Sequence, residues 1–138
     1  MHARPFRRLL PLLALAVLSL GHGSGGCGED ADHHEGKPSG ATCPQAGGPT
    51  AQDFGQTFLG TYCLSCHSAS TQGAGRAGAP GDVNFDTLED VRRQAEAIDM
   101  HVAAGPSAIN DEMPPASSPQ PTLEEREKLG QWLACGAR

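Results

Sequence analysis

The chain has 138 residues, with ten Lys and Arg against sixteen Asp and Glu. Three of the basic residues precede residue 27 and every acidic residue follows it, so the remainder carries seven positive and sixteen negative side chains, a net charge of −9. This balance argues against nucleic acid or anionic lipid as a partner, because both are negatively charged. It suits a protein partner with a basic docking patch, and it also serves solubility.

The first 26 residues have the pattern of a secretory signal peptide. They begin with a positive stretch that contains Arg4, Arg7 and Arg8, and an apolar run over residues 9–20 follows. About 20 apolar residues are needed to span a bilayer, so this run is too short for a transmembrane helix and suits the apolar part of a signal peptide. We therefore expect an exported protein, either periplasmic or held at the cell envelope.

Residues 27–49 are predicted to form a flexible tether. The segment is rich in Gly, Pro, Ser and acidic residues and contains almost nothing large and apolar. Such a segment cannot bury enough surface to offset the entropy lost on ordering. His33 and His34 lie within it and are interpreted as solvated side chains rather than metal ligands. The folded domain is then predicted to be residues 50–138.

This domain is predicted to contain three helices and no sheet. The first begins at Thr50, where Asp53 completes a capping-box pattern, and it runs into Cys63. Its aromatic residues share one face at fourfold spacing: Phe54, Phe58 and Tyr62. A domain of about 90 residues with so few aromatic side chains needs a staple or a large buried cofactor.

The second predicted helix covers about residues 87–104 and ends before Gly105 and Pro106. Its apolar stripe consists of Leu88, Val91, Ala95, Ile98 and Val102. The third begins at Thr122, with Glu125 as the partner in a second capping box. Its predicted buried face consists of Leu129, Trp132 and Leu133.

Two cysteines and a histidine lie within five residues, at Cys63, Cys66 and His67. The spacing C-x-x-C-H is the attachment signal of c-type haem, because two thiols on one helical turn can bond both vinyl groups of a porphyrin while the imidazole binds the iron. A zinc site would need four ligands, often from a second C-x-x-C pair, and the sequence has no second pair. A redox disulfide is the other alternative. The export signal favours one covalent haem c per chain.

Four features carry a resemblance to a known family: CLSCH at 63–67, the aromatic helix before it, EMPP at 112–115 and the terminal helix TLEEREKLGQWLACG. Residues 50–138 resemble a small single-haem cytochrome c of the class I, mitochondrial-like type. The resemblance implies an all-α fold of about three helices around the haem. It also implies that His67 and Met113 are the axial ligands of the iron, and that the Pro80 carbonyl accepts a hydrogen bond from the His67 ring.

Other residues compete with Met113 for the sixth position of the iron. Met100 and His101 lie off the apolar stripe of the second helix, so both are expected to face water. Met113 precedes two prolines that restrict the backbone. Its thioether is a soft ligand that raises the reduction potential relative to two imidazoles. The alternative is that Met113 is an apolar side chain that fills the core.

The resemblance further implies that the first and last helices cross, with Gly55 and Gly130 allowing close approach; the alternative is that each is simply a tolerated helix glycine. Cys43 and Cys135 would then meet in a disulfide that closes a loop of about 90 residues. The alternative is two unrelated thiols. Trp132 is interpreted as a core residue rather than a partner of a haem propionate. Three arginines remain open as propionate partners: Arg76, Arg92 and Arg93.

Cys27 is the fifth cysteine and is left without a role by these assignments. It follows the apolar run and precedes the tether, where a bacterial lipoprotein carries its acylated first residue. We therefore expect Cys27 to be lipidated and to attach the protein to the membrane. The alternative is cleavage near Gly23, which leaves a periplasmic protein with one free thiol.

The function expected from these features is electron transfer rather than catalysis. Ligation of the iron by His67 and Met113 leaves no open position for a substrate, and the sequence offers no general base, nucleophile or second metal beside the haem. The alternative is a haem-based sensor or ligand-binding module in which the sixth position stays open. A structural lipoprotein without haem is a third, more distant hypothesis.

Overall fold

The computed structural model describes residues 36–138. The predicted signal peptide, Cys27 and the histidines at 33 and 34 lie outside the described residues. The described part is mostly helical and contains no strand, with one isolated bridge between Ala104 and Ile109. None of its helices is long and apolar enough to cross a membrane.

Helix α1, Gln56–Tyr62, continues from a π-helical segment, Ala51–Gly55. Thr50 caps this start, because its side chain accepts a hydrogen bond from the Asp53 N–H while the Asp53 carboxylate accepts one from the Thr50 N–H. The predicted capping box is therefore confirmed. The aromatic face is also formed, with ring centroids 5.3 Å apart for Phe54 and Phe58 and 4.9 Å apart for Phe58 and Tyr62.

The second predicted helix is two helices, α2 (Leu88–Arg93) and α3 (Ala95–Val102). The break is at Gln94, whose φ of −114° and ψ of 14° are not helical. The helix also ends earlier than predicted, because Ala103 is extended and its carbonyl accepts a hydrogen bond from the Asn110 N–H. Val91, Ile98 and Val102 of the predicted stripe are buried.

Helix α4, Leu123–Ala134, begins with the predicted capping box of Thr122 and Glu125. Trp132 is fully buried on this helix, and its indole N–H donates to the Arg138 carbonyl at 3.2 Å. Trp132 is therefore a core residue, as predicted. The predicted disulfide is confirmed as well, since Cys43 and Cys135 are bonded with their Cα atoms 4.8 Å apart.

The close approach at Gly55 is formed by Trp132, because a Cβ at Gly55 would lie inside van der Waals contact of the indole ring. Gly130 has a different neighbour from the one predicted. A Cβ there would come within 2.7 Å of the Ala41 side chain and 2.8 Å of the Ala104 carbonyl oxygen. Gly130 therefore makes room for Ala41, which precedes the first helix, and for the backbone just after α3, rather than for the first helix itself.

Residues 36–41, here called the strap, pack against α3 and α4. Ser39 is 1% exposed, and its hydroxyl and N–H both donate to the Asp99 carboxylate, at 2.5 and 2.8 Å. The Lys37 carbonyl accepts from the Asn110 side chain at 2.7 Å. The prediction of a flexible tether is therefore wrong for residues 36–49, because specific polar contacts and the Cys43 disulfide replace the apolar burial that this segment lacks.

Breaking the disulfide should lower the stability of the domain. The bond joins residues 92 apart in sequence, and closing a loop of that length removes about 4–5 kcal/mol of chain entropy from the unfolded state. We expect the Cys43→Ser, Cys135→Ser double variant to unfold at a clearly lower denaturant concentration. Adding reductant should lower the midpoint of the native protein and leave that of the variant unchanged. Equal midpoints for the oxidised protein and the variant would contradict this prediction.

Two glycines of the first helical segment provide a matched pair. Gly55→Ala should destabilise the domain by about 1–3 kcal/mol, because the added methyl group overlaps the indole of Trp132. Gly60 lies in α1, and a methyl group added there would meet no atom within 4 Å. Gly60→Ala should therefore stabilise the helix by up to about 1 kcal/mol. Denaturant unfolding measures both effects, and changes of the same sign would count against the close helix contact.

Candidate haem-attachment site

The C-x-x-C-H segment forms one more turn after α1. The Cys63 N–H donates to the Leu59 carbonyl at 2.9 Å, and the Cys63 carbonyl accepts from the N–H groups of Cys66 and His67 at 3.1 and 2.9 Å. This turn places both cysteines and the histidine on a single short stretch of backbone. Cys63 and Cys66 are both free thiols.

The two thiols have different surroundings. Cys63 is 7% exposed and belongs to the hydrophobic core, whereas Cys66 is half-buried. Burial raises the pKa of the Cys63 thiol to about 12, because the apolar surroundings penalise the thiolate. At neutral pH Cys63 is therefore a protonated, apolar group.

The His67 ring is fixed by the segment 83–85. Its Nδ1 atom is 3.0 Å from the Val83 carbonyl oxygen, and the imidazole stacks on the Phe85 ring with centroids 4.7 Å apart. The carbonyl can only accept, so Nδ1 carries the proton and the lone pair of Nε2 is left for a metal. The predicted acceptor, Pro80, is wrong. Its carbonyl accepts from Arg76 instead.

Arg76 holds the loop that contains this acceptor. It is 7% exposed, and its guanidinium group donates to the Val83 carbonyl that also binds His67. It contacts five further oxygens, those of the carbonyls of Ser68, Thr71, Ala79 and Pro80 and of the Asn84 side chain. Arg76 is therefore committed to the loop and is not a free propionate partner.

The other two arginines left open by the sequence are also engaged. Arg92 donates to the carbonyls of Gly136 and Ala137, and Arg93 pairs with Asp90.

Ser68, the residue after His67, is bonded to Asp86. Its hydroxyl donates to the Asp86 carboxylate at 2.7 Å. This bond, with a second from the backbone N–H of Ala69, lowers the pKa of Asp86.

Met113 lies on a second loop. Its N–H donates to the His101 carbonyl at 3.0 Å, its carbonyl accepts from Arg126 at 2.9 Å, and its side chain is 40% exposed. This exposure weighs against the alternative that Met113 fills the core. The position of its sulfur opposite His67 stays a prediction. His101, one of its rivals, is partly exposed and bonded to Glu112 at 2.6 Å, while Met100 is half-buried.

Residues 36–138 contain no group of three or more His, Cys, Asp or Glu side chains that could hold a metal ion. A haem iron needs no such group, because the porphyrin supplies four of its ligands. An open groove of about 360 Å³ lies beside the strap and α4, and no predicted site residue lines it. Its lining consists of Ala41, Thr42, Ala104, Gly105, Pro106, Glu127 and Gln131.

The residues at C-x-x-C-H fit a covalent haem in three respects: two free thiols on one turn, an imidazole with Nδ1 bonded to a carbonyl, and an apolar neighbour in Phe85. Sequence reasoning missed Val83 and Arg126, and it considered Arg76 only as a propionate partner. Arg126 gave one signal, since it precedes Leu129 and Leu133 by three and seven residues, on the buried face of α4. Arg76, in a glycine-rich loop, gave none.

No protein-family model, no curated protein and no solved structure matches this chain.

In protein produced without attached haem, the two thiols should react at different rates. Cys66 is the more accessible thiol, and the raised pKa of Cys63 leaves only about one molecule in ten thousand as thiolate at pH 8. We expect iodoacetamide to modify Cys66 at least about tenfold faster than Cys63. Peptide mass spectrometry distinguishes the two sites. The denatured chain serves as the control, in which both thiols should react alike, and equal rates in the native chain would be the contrary result.

Proposed function

We propose that this protein is an electron carrier with one covalently attached c-type haem. Cys63 and Cys66 would hold the haem, His67 would be the fifth ligand of the iron and Met113 the sixth. The observation that carries the proposal is the C-x-x-C-H turn with both thiols free and with His67 Nδ1 bonded to the Val83 carbonyl. This arrangement leaves Nε2 as the metal-binding atom.

The bound haem would supply one-electron chemistry, with the iron alternating between the ferric and ferrous states, and a thioether ligand favours the ferrous state relative to two imidazoles. The chain's own residues position the group. The Val83 carbonyl sets the tautomer of His67, and Phe85 limits rotation of its ring. A reduced partner would give one electron and an oxidised partner would receive it, so the protein itself undergoes no net change.

The surface charge supports a partner with a basic docking patch. Residues 36–138 contain seven Lys and Arg against twelve Asp and Glu. Two of the seven cations, Arg76 and Arg126, are buried. The exposed surface is therefore more acidic than the formal charge indicates, and it would attract a basic partner and speed association at low salt.

The place of action proposed from the sequence is outside the cytoplasm. The signal-peptide pattern and the expected lipid on Cys27 would hold the carrier at the envelope, with electron exchange between larger redox proteins. The sensor hypothesis keeps the same haem attachment and differs only at the sixth position. Measuring whether the sixth position is open or occupied therefore distinguishes the two functions.

Carbon monoxide binding to the reduced protein tests the proposal. A purified full-length protein should carry covalent haem on a denaturing gel and should not bind carbon monoxide. Met113→Ala should retain the covalent haem and bind carbon monoxide, because the sixth position is then open. Met100→Ala is the matched control and should behave as the native protein. A native protein that binds carbon monoxide supports the sensor hypothesis, and one without covalent haem overturns both.

A further inference from the structure

Arg126 is a buried cation, and apolar surroundings alone would not stabilise its charge. It is 4% exposed, and within the described residues its guanidinium group bonds no carboxylate. Removing a charge from water costs several kcal/mol unless hydrogen bonds compensate. Desolvation accordingly lowers the pKa of Arg126. The compensation comes from the loop that contains Met113.

The Arg126 guanidinium group reaches four oxygens, one at the end of α3 and three on the chain between α3 and α4. Its Nη1 donates to the carbonyls of Val102, Asn110 and Met113 at 2.9, 3.0 and 2.9 Å. Its Nη2 donates to the Gln120 side-chain oxygen at 3.1 Å. One side chain on a rigid helix therefore fixes both ends of this loop and the backbone of Met113.

Gln120 also holds the backbone that follows Met113. While its oxygen accepts from Arg126, its side-chain N–H group donates to the carbonyls of Pro114 and Pro115 at 3.0 and 2.9 Å. The Met113 backbone is consequently held on both sides. The side chain remains partly exposed, so the constraint acts on the position of the residue and leaves the thioether available.

The loop around His67 has the same construction. Arg76, also buried, donates to the carbonyl of Val83, and Val83 is the hydrogen-bond partner of the His67 ring. Each of the two loops that bear a proposed ligand is thus held by its own buried guanidinium group. The two sets of hydrogen-bond acceptors share no residue.

Building on the function proposed above, we propose that the two arginines are separate positioning residues for the two axial ligands. Arg126 holds Met113 in place to bind the iron, and Arg76 holds the carbonyl that orients His67. Lysine keeps the positive charge but has three donors on one nitrogen instead of a planar fork, so it cannot span the same acceptors. A lysine substitution therefore removes positioning without removing charge.

The test compares three lysine variants of the full-length, haem-loaded protein. Arg126→Lys should keep its covalent haem and let the reduced protein bind carbon monoxide, with the open form rising about tenfold to a hundredfold per lost charged hydrogen bond. Arg76→Lys should leave the sixth position closed and speed exchange of the His67 Nδ1 proton, measured by NMR. Arg92→Lys is the control, because Arg92 contacts only carbonyls near the C-terminus, and it should change neither measurement.

Gln120→Ala provides a second route to the same answer, since Gln120 is exposed and its loss should spare the core. It should raise carbon monoxide binding in the same direction as Arg126→Lys and by less. The proposal is overturned if a haem-loaded Arg126→Lys stays closed, if Arg76→Lys opens the sixth position equally, or, where Arg126→Lys yields no protein, if Gln120→Ala stays closed. A native protein without haem overturns the proposed function as well. A native protein with haem whose Met113→Ala variant stays closed overturns the assignment of Met113.

Discussion

The capture of loop carbonyl groups by two buried guanidinium groups is the constraint on which the rest of this structure depends. The chain has no α-helix between residues 63 and 87 or between 103 and 122. A buried carbonyl without a partner costs free energy comparable to a lost hydrogen bond. Arg76 and Arg126 together bind eight main-chain carbonyls and two side-chain amide oxygens. Two long loops thereby acquire fixed paths without any strand.

Burying each arginine has one large free-energy cost, the desolvation of its charge, and several smaller gains from its hydrogen bonds. Burying a cation costs several kcal/mol, while each hydrogen bond to a charged group contributes about 1.5–3 kcal/mol. Arg76 contacts six acceptor oxygens through its five N–H groups, and Arg126 contacts four. Each hydrogen bond that is lost leaves more of the buried charge uncompensated. Each loop is therefore most stable when its whole set of hydrogen bonds is formed.

Short-range patterns in the sequence correctly predicted the features that depend on residues close together in the chain. Both capping boxes formed, and the aromatic residues of α1 and the π-helical segment before it share one face, because these patterns involve residues three or four apart. The path of the chain through space left no such signal. Composition predicted a flexible segment where Ser39 is buried against Asp99, 60 residues away. The acceptor of His67 was misplaced at Pro80: Arg76 binds the carbonyls of both Pro80 and Val83, and the ring shares the Val83 carbonyl with it.

The strap supports the Met113 loop through hydrogen bonds, which the disulfide does not do. Cys43 is already joined covalently to the end of α4, so the hydrogen bonds of residues 36–41 are not needed to keep this segment near the core. The Lys37 backbone bonds Asn110 instead, whose side chain donates to the carbonyls of Lys37 and Asp99 while its own carbonyl accepts from Arg126. Asn110 is thus held from the strap side and from the helix side at once. Since Arg126 also binds the Met113 carbonyl, the strap forms an outer layer of support for the same loop.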